Sequence, residues 1–454
     1  MTASLKDRLA EAVDFALLHG LIKYTPRHVL AHAPFTLTPC PLPAAAIDEM
    51  ARLTPTYNAL ALALARDPDF LAHTLGQAAA QDEFLARLLR MGRRRDDVQP
   101  LRLLLTRIDY LMQDATGSGD AAPKLVEMNT ISAAYAGLAG RVNALHRHLL
   151  QDSADAARLV PNDPLSGMVN GVAAAIAAYG HADACCLMVI QPGERNIFDQ
   201  RLLEFGLRER GIATVRMALA EIPGNTRLHE GHLLVEGRPA AVTYLRAGYG
   251  PEDYTSAEAW QGRERIEASS TIAVPDVLQQ LAGAKMVQQR LTAPDVLQRF
   301  CPPGEHAALA ATFVGQFALD DPIGDAGGTA PAWQVARDTP ARFVLKPQRE
   351  GGGNNLYDAE LAARLTSLSP TQRHAYILME RIYSAPHPAL CAMEGHLREG
   401  PHVSEVGRFG ALLAAGERIQ HNADLGYLVR TKGESEVETG ISAGYGHLDS
   451  LLRS

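Results

Sequence analysis

A lysine, an arginine and a glutamate crowd the softest backbone in this chain of 454 residues. The stretch FVLKPQREGGGNNLY, Phe343 to Tyr357, runs from an apolar strand-like segment through Lys346, Arg349 and Glu350 into Gly351, Gly352, Gly353, Asn354 and Asn355. Glycines weaken regular structure and, having no Cβ, let several N–H groups close on a phosphate. A nearby lysine adds positive charge, and a carboxylate can hold a metal that bridges phosphates. The stretch is neither G-x-x-x-x-G-K-[ST] nor G-x-G-x-x-G. A plain flexible turn therefore stays open as the alternative.

LVEMNT offers a second set. Alternate side chains of a strand share a face, which puts Glu127 and Asn129 on one side and Val126 and Met128 on the other. Two oxygen donors on one face suit a hard cation such as Mg²⁺; the polar face of an edge strand is the other account. QPGERNIFDQR presents Glu194, Asn196 and Gln200 beyond a strand end, where open α/β sheets bind ligands. A helix cap at Asn196 and a dipole partner in Glu194 explain the same residues. YLRAGYG carries Arg246 and Tyr249, and YLVRTKGESEVETGISAGYG sets Arg430 and Lys432 before a glycine-containing loop. Each of these cations, taken singly, reads as well as a solvated surface charge. His146 and His148, two apart in a helix, do not share a face. Cys185 and Cys186 read as buried and inert.

The elements that must position these residues follow from periodicity. The first ~150 residues read as largely helical, with three- and four-residue apolar spacing in RLAEAVDFALLHGLI and DEFLARLLRMG. DDVQPLRLLLTRIDYLMQD falls within that region and leads through a turn, ATGSGDAAP, to a short strand, KLVEMNT, and a helix, AAYAGLAGRVNALHRHLL. QDSADAARLVPNDPLSG reads as a connection. From about Ala182, ACCLMVIQP, NIFDQRLLEFGLRERG and IATVRMA form a βαβ unit. A strand in AAVTYLRAGYG and helices around VLQQLAGAKMVQQRL follow. LDDPIGDAGGTAPAWQVARDTPAR reads as loop, and RFVLKP and AYILMERI as strands.

Hydrophobic residues make up 47% and charged residues 21%, as in a globular protein. A net charge of −8 argues against nucleic acid or an anionic membrane as the main partner. No apolar run approaches the ~18–20 residues that span a bilayer. MTASLKDRLAEAVDFALLHG reads as an amphipathic helix carrying acids rather than a signal peptide. The five cysteines, scattered and without C-x-x-C, suit reduced thiols in the cytoplasm.

APFTL, EMNTISA, LHRH, ERNIFDQR, LAGAK, FVLKPQREGGGNNLY, YILMERI and LVRTK, in this order and spanning nearly the whole chain, resemble the eukaryotic-type glutathione synthetases, which are ATP-grasp ligases. The resemblance implies an α/β (α+β) class: an ATP-grasp fold with an inserted parallel α/β substrate-binding subdomain and a mobile lid. Residues 1–181 would hold the N-terminal helical part and the first segment of the core, 182–284 the inserted subdomain, and 285–454 the nucleotide-binding part, with a glycine-rich lid loop near 346–357. It also implies the ligation of γ-glutamylcysteine and glycine through an acyl phosphate, giving ADP and phosphate. ATP is then a co-substrate, with two Mg²⁺ ions per site. A homodimer follows from the same likeness.

By the same resemblance, Glu127, Asn129 and Glu350 hold Mg²⁺, and Lys285, Lys346 and the loop Glu350, Gly351, Gly352, Gly353, Asn354 and Asn355 contact phosphates. Tyr357, Met379, Glu380, Arg381, Ile382, Glu405, Lys432 and Glu438 complete the nucleotide side. Arg107, Lys346 and Arg430 act in catalysis. Arg107, Ile131, Ser132, Ala133, Ala134, Glu194, Arg195, Asn196, Gln200, Arg246, Ala247, Gly248, Tyr249, Arg430, Ile441 and Ser442 bind the substrates. The chain departs from the familiar pattern at Ala134 (Ser), Ala247 (Asp), Arg381 (Lys) and Ser442 (Ala). Three of these lie near the peptide substrates and leave a sister ligase, with β-alanine or serine as acceptor, as the alternative. A non-catalytic nucleotide-binding regulator on the same scaffold requires lost metal or loop residues, and none is lost.

Overall fold

The computed structural model describes residues 4–93, 99–114, 121–325, 328–350, 353–437, 440–441 and 446–454. Its largest sheet has seven strands, and the one that organises the site is Leu101–Gln113. That strand lies between Ala122–Asn129 and His396–Ala415, antiparallel to both. Beyond His396–Ala415 follow Arg418–Gly433, His447–Asp449, Phe35–Thr36 and His387–Met393, and the last also pairs back onto His396–Ala415.

The expectation of a largely helical first ~150 residues fails at this strand. Residues 103–110 are buried without interruption. The helix Ala44–Ala65 packs on this sheet, as does Pro164–Tyr179. A strand covered on both faces loses its alternation and reads as a continuous apolar run, which periodicity cannot tell from buried helix. The helices Leu5–Leu18, Glu83–Arg93 and Ala136–Leu150 form as expected.

The second sheet confirms the βαβ unit. Thr214–Met217, Cys185–Val189, Arg238–Leu245 and Ile272–Val274 are parallel neighbours in that order, with Ile197–Arg208 as the crossover helix. The chain turns to opposite sides of Cys185–Val189, so the loops after it and after Arg238–Leu245 diverge and leave a crevice at their carboxyl ends. A third sheet, Gln316–Ala318, Tyr376–Glu380 and Phe343–Pro347, has its own core around Phe343, Leu345, Leu361 and Leu378.

Two further expectations are corrected. LDDPIGDAGGTAPAWQVARDTPAR is not all loop: Pro322–Asp325 pairs with Gly328–Pro331, and Ala332–Asp338 is a helix. Ile323, Ala332 and Val335 join the third sheet's core, so tertiary burial overrides the Pro/Gly content. The connection QDSADAARLVPNDPLSG ends at Asp163, whose carboxylate accepts from Ser166 N at 3.3 Å and caps the helix Pro164–Tyr179. Most of the turn ATGSGDAAP, residues 115–120, lies outside the described residues. Among the described residues no helix is long and apolar enough to cross a membrane.

Candidate active site

The three sheets meet around a cavity of about 600 Å³. The antiparallel sheet supplies Arg107, Glu127, Asn129, Glu405, Arg430 and Lys432, with Ile131, Ser132 and Ala134 just beyond Asn129. The parallel sheet supplies Glu194, Asn196, Arg246 and Tyr249. The third sheet and its flanks supply Lys346, Glu350, Asn355, Tyr357, Met379, Glu380, Arg381 and Ile382, and Lys285 and Ile441 complete the wall. Most residues singled out in the sequence therefore converge.

Strand register fixes one half of the cavity. Arg107 stands opposite Asn129, Leu111 opposite Glu405, and Glu405 opposite Arg430. At the centre is Asp109, fully buried, which the sequence reading passed over. Arg107 Nε and Nη2 donate to its two carboxylate oxygens, each at 2.7 Å. Arg430 Nη2 donates to Asp109 Oδ2 at 3.0 Å and also pairs with Glu405. Asn129 Nδ2 donates to Asp109 Oδ2 at 3.0 Å and to Arg107 O at 3.1 Å. Burial raises the Glu405 carboxyl, with Arg430 opposing it. A Cβ on Gly407 would lie 2.5 Å from Asp109 Oδ1, so the carboxylate needs glycine beneath it. The signal was the alternation in TRIDYL, which puts Arg107 and Asp109 on one strand face.

The other half is cationic and looser. Lys285 opens the helix Lys285–Arg290. Its Nζ lies 3.6 Å from Glu127 and 3.8 Å from Glu350 and donates to Arg349 O at 2.6 Å. Lys346 Nζ donates to Val126 O at 3.0 Å. Burial, partly offset by Glu127, lowers Lys346 to about 8. Burial raises Glu350 despite Lys285. Burial would also raise Glu127, but Lys285, Lys346, Arg107 and Arg430 outweigh it and hold that carboxyl well below its usual range. Among the described residues no group of three or more His, Cys, Asp and Glu side chains is placed to hold a metal. The oxygen set is instead two carboxylates and one amide, with the Lys285 ammonium between the carboxylates. That donor chemistry fits Mg²⁺, which keeps several waters and takes one or two protein carboxylates.

The backbone of Tyr376–Glu380 and its continuation, expected to frame the adenine, is partly committed. Glu380 N donates to Gly315 O at 2.8 Å and Arg381 N to Arg342 O at 2.7 Å. A base read by backbone here must use other groups. Arg381 lies 5.7 Å from the Tyr357 ring centroid and 3.3 Å from Asp358.

At the parallel-sheet end, Arg246 Nη1 donates to Ser132 O at 2.8 Å and to Ser132 Oγ at 3.1 Å, and Nη2 lies 3.7 Å from Glu194. Ser132 holds φ +53 and Tyr135 φ +76, conformations uncommon for non-glycine residues and concentrated at functional turns. Asp199, also missed, secures this turn: its carboxylate accepts from Tyr135 N at 2.7 Å and Gly137 N at 2.9 Å. Burial raises Glu194 against the pull of Arg246. Asn196 stands at the helix N-cap but makes no side-chain cap bond, so the capping account of it fails.

Some expected contacts do not reach the cavity wall. Gln200 is buried and its amide donates to Glu194. Arg195 and Ala247 line a neighbouring cavity of about 570 Å³. Ala133 is buried. Gly248 has φ +95 and donates to Asp253 Oδ2 at 2.7 Å, supporting Tyr249 from behind. Neither Gly353, with φ +88, nor Asn354 lines the cavity. Gly351, Gly352, Glu438 and Ser442 lie outside the described residues.

The family model for the ATP-binding domain of eukaryotic glutathione synthase matches residues 2–452. The glutathione synthetase of Bos taurus is 37% identical over 98% of this chain and 96% of its own length. That of Homo sapiens is likewise 37% identical, over 98% and 96%. The chloroplastic glutathione synthetase of Arabidopsis thaliana is 35% identical over 97% of this chain and 84% of its own length. A solved structure, the apo form of a glutathione synthetase-like effector of Globodera pallida, superposes with a TM-score of 0.80 over 99% of this chain and 97% of that one. At 19% identity it supports the fold alone.

Proposed function

The chain belongs to the eukaryotic glutathione synthetase family; it is an ATP-dependent ligase that joins γ-glutamylcysteine to glycine, and we propose that the cavity between its three sheets is where it does so. In the first step the cysteinyl carboxylate of the dipeptide attacks the γ-phosphorus of ATP, and ADP leaves. In the second, the glycine amine attacks the resulting acyl phosphate, and phosphate leaves. Arg107 and Arg430 hold the reacting carboxylate, and Lys285 and Lys346 take the phosphate charge. Phosphoryl transfer depends chiefly on such positioning and neutralisation. Mg²⁺, two ions per site held by Glu127, Asn129 and Glu350, would neutralise the phosphates and orient the transferring group. At the far end, Glu194 suits the dipeptide's α-ammonium and Arg246 its α-carboxylate.

The observation that carries this reading is the convergence of Glu127, Asn129, Lys285, Lys346 and Glu350 around one cavity. The test is ADP release with γ-glutamylcysteine and a panel of glycine, β-alanine and serine. Release that requires the dipeptide and is fastest with glycine is expected. Release independent of the dipeptide would remove the donor role from this cavity.

Three further points belong to the same proposal. The three-part division at 181 and 284 and a lid near 346–357 are to be probed by hydrogen exchange with and without a non-hydrolysable ATP analogue. Homodimerisation is supported by Val29 and Leu30, 59% and 53% exposed on the hairpin that packs beside Leu5–Leu18. Leu30→Asp should then yield monomers in light scattering. A reducing compartment such as the cytoplasm is supported by five free cysteines, four of them buried.

A further inference from the structure

We infer that Asp109 is a positioning residue that selects which atom of Asn129 faces the metal, while the same carboxylate holds both donor-binding arginines. The inference rests on the Mg²⁺ reading above. Asn129 has one donor end and one acceptor end. Its Nδ2 is fixed by two acceptors, Asp109 Oδ2 at 3.0 Å and Arg107 O at 3.1 Å. A turned amide would set Oδ1 against both oxygens, an acceptor facing two acceptors with no proton between them. Oδ1 is therefore the atom offered to the cavity, on the strand face it shares with Glu127.

Asp109 has no freedom to do otherwise. It is fully buried, its two oxygens receive Arg107 at 2.7 Å each, and Oδ2 also receives Arg430 at 3.0 Å. Gly407 lets the carboxylate lie against backbone. One buried anion thus ties a metal ligand to the two cations expected at the reacting carboxylate. Metal and donor sites should fail together when it is lost.

The experiment uses Mn²⁺ as the probe, titrated into the full chain with a non-hydrolysable ATP analogue and followed by electron paramagnetic resonance, alongside steady-state kinetics. D109N keeps the shape but lets the new amide either donate or accept, so Asn129 can turn. Mn²⁺ affinity should fall by about 10-fold or more, the scale of outer-shell losses, and KM for γ-glutamylcysteine should rise. The swap D109N/N129D keeps total charge and lets the amide at 109 hold the carboxylate at 129. It should recover most of the lost Mn²⁺ affinity, yet keep the raised KM, because the arginines still lack their anion. Wild-type Mn²⁺ affinity in D109N overturns the inference, as does a swap that restores both properties or neither. Should D109N not fold, the swap compared with N129D alone gives the same reading. E127Q and N129A separate the two levels: if these also bind Mn²⁺ as wild type, the metal reading itself has failed.

Discussion

The two halves of the cavity are built differently. Around Asp109 the polar contacts are 2.7–3.0 Å long, and their partners sit on paired strands whose register fixes them. Around Lys285 the ion pairs are 3.6 and 3.8 Å long and join a strand end, a helix start and a loop. Burial shifts groups in both halves, raising Glu405 in the tight half as it raises Glu350 in the loose one, while cations hold Glu127 low. Lys346 is lowered to about 8 by burial, and Glu350 is raised by burial. In each, burial outweighs the opposite charges nearby. The tight half is already hydrogen-bonded in place, as the proposed donor-carboxylate site requires. In the loose half burial disfavours the charged forms of Lys346 and Glu350, an effect that the proposed phosphate and metal would reverse.

Substitutions in the two halves should therefore have different signatures. Glu350→Gln should lower turnover by roughly 10²–10³-fold, the scale for one lost transition-state contact, with little change in melting temperature. A variant that melts early but turns over normally would reverse the assignment of the halves. Arg107→Ala should act on both levels. Asp109 would lose two of its donors in a fully buried place, at a cost of roughly 3 kcal/mol. The requirement for γ-glutamylcysteine should rise far more than that for ATP. Equal increases for both substrates would make Arg107 structural only.

The same contrast explains what the sequence disclosed. Short motifs with unusual chemistry were legible: Lys346 and Glu350 beside the glycine run, the alternation of Glu127 and Asn129, and the strand end at Glu194, all of which reach the cavity. Their convergence came from likeness to a family, not from spacing, since Glu127 and Glu350 are brought together only by the third sheet. Asp109 stayed hidden because the short alternation in TRIDYL sits inside a run, residues 103–110, that is buried without interruption. Asp199 stayed hidden although it lies inside ERNIFDQR, because its role is to hold the turn at Tyr135. The hairpin Pro322–Asp325 with Gly328–Pro331 was masked by Pro and Gly, residues that mark turns without saying what lies between them.

A smaller effect probes the tight half without touching a charge. Gly407→Ala places a Cβ 2.5 Å from Asp109 Oδ1 and 2.9 Å from Arg107 Cδ. The strand must shift, at a cost of roughly 1–3 kcal/mol. Donor binding should weaken and ATP binding should not. Equal stability and unchanged kinetics would mean that the Asp109 network is less rigid than its distances imply.

The last and smallest effect concerns one proton in the loose half. In the free enzyme Lys346 titrates near 8, because burial outweighs the attraction of Glu127. ATP phosphates beside it favour the charged form, so the pKa in the complex must be higher. Binding strength from this group is then complete below about pH 8 and is lost as pH rises through the value in the complex, by no more than about tenfold per pH unit. At pH values just above 8, ATP binding should take up a fraction of a proton, visible in calorimetry as a binding heat that varies with buffer ionisation enthalpy. Lys346→Met should abolish that uptake. The same substitution should raise folding stability at neutral pH. The lysine is protonated more readily in the unfolded chain than in the fold, so its charge opposes folding below about pH 8, a cost relieved as pH rises toward the unfolded value. Buffer-independent binding heats in the wild-type enzyme, together with a destabilised Lys346→Met, would show that Lys346 is already fully paired and that the loose half is not waiting for phosphate.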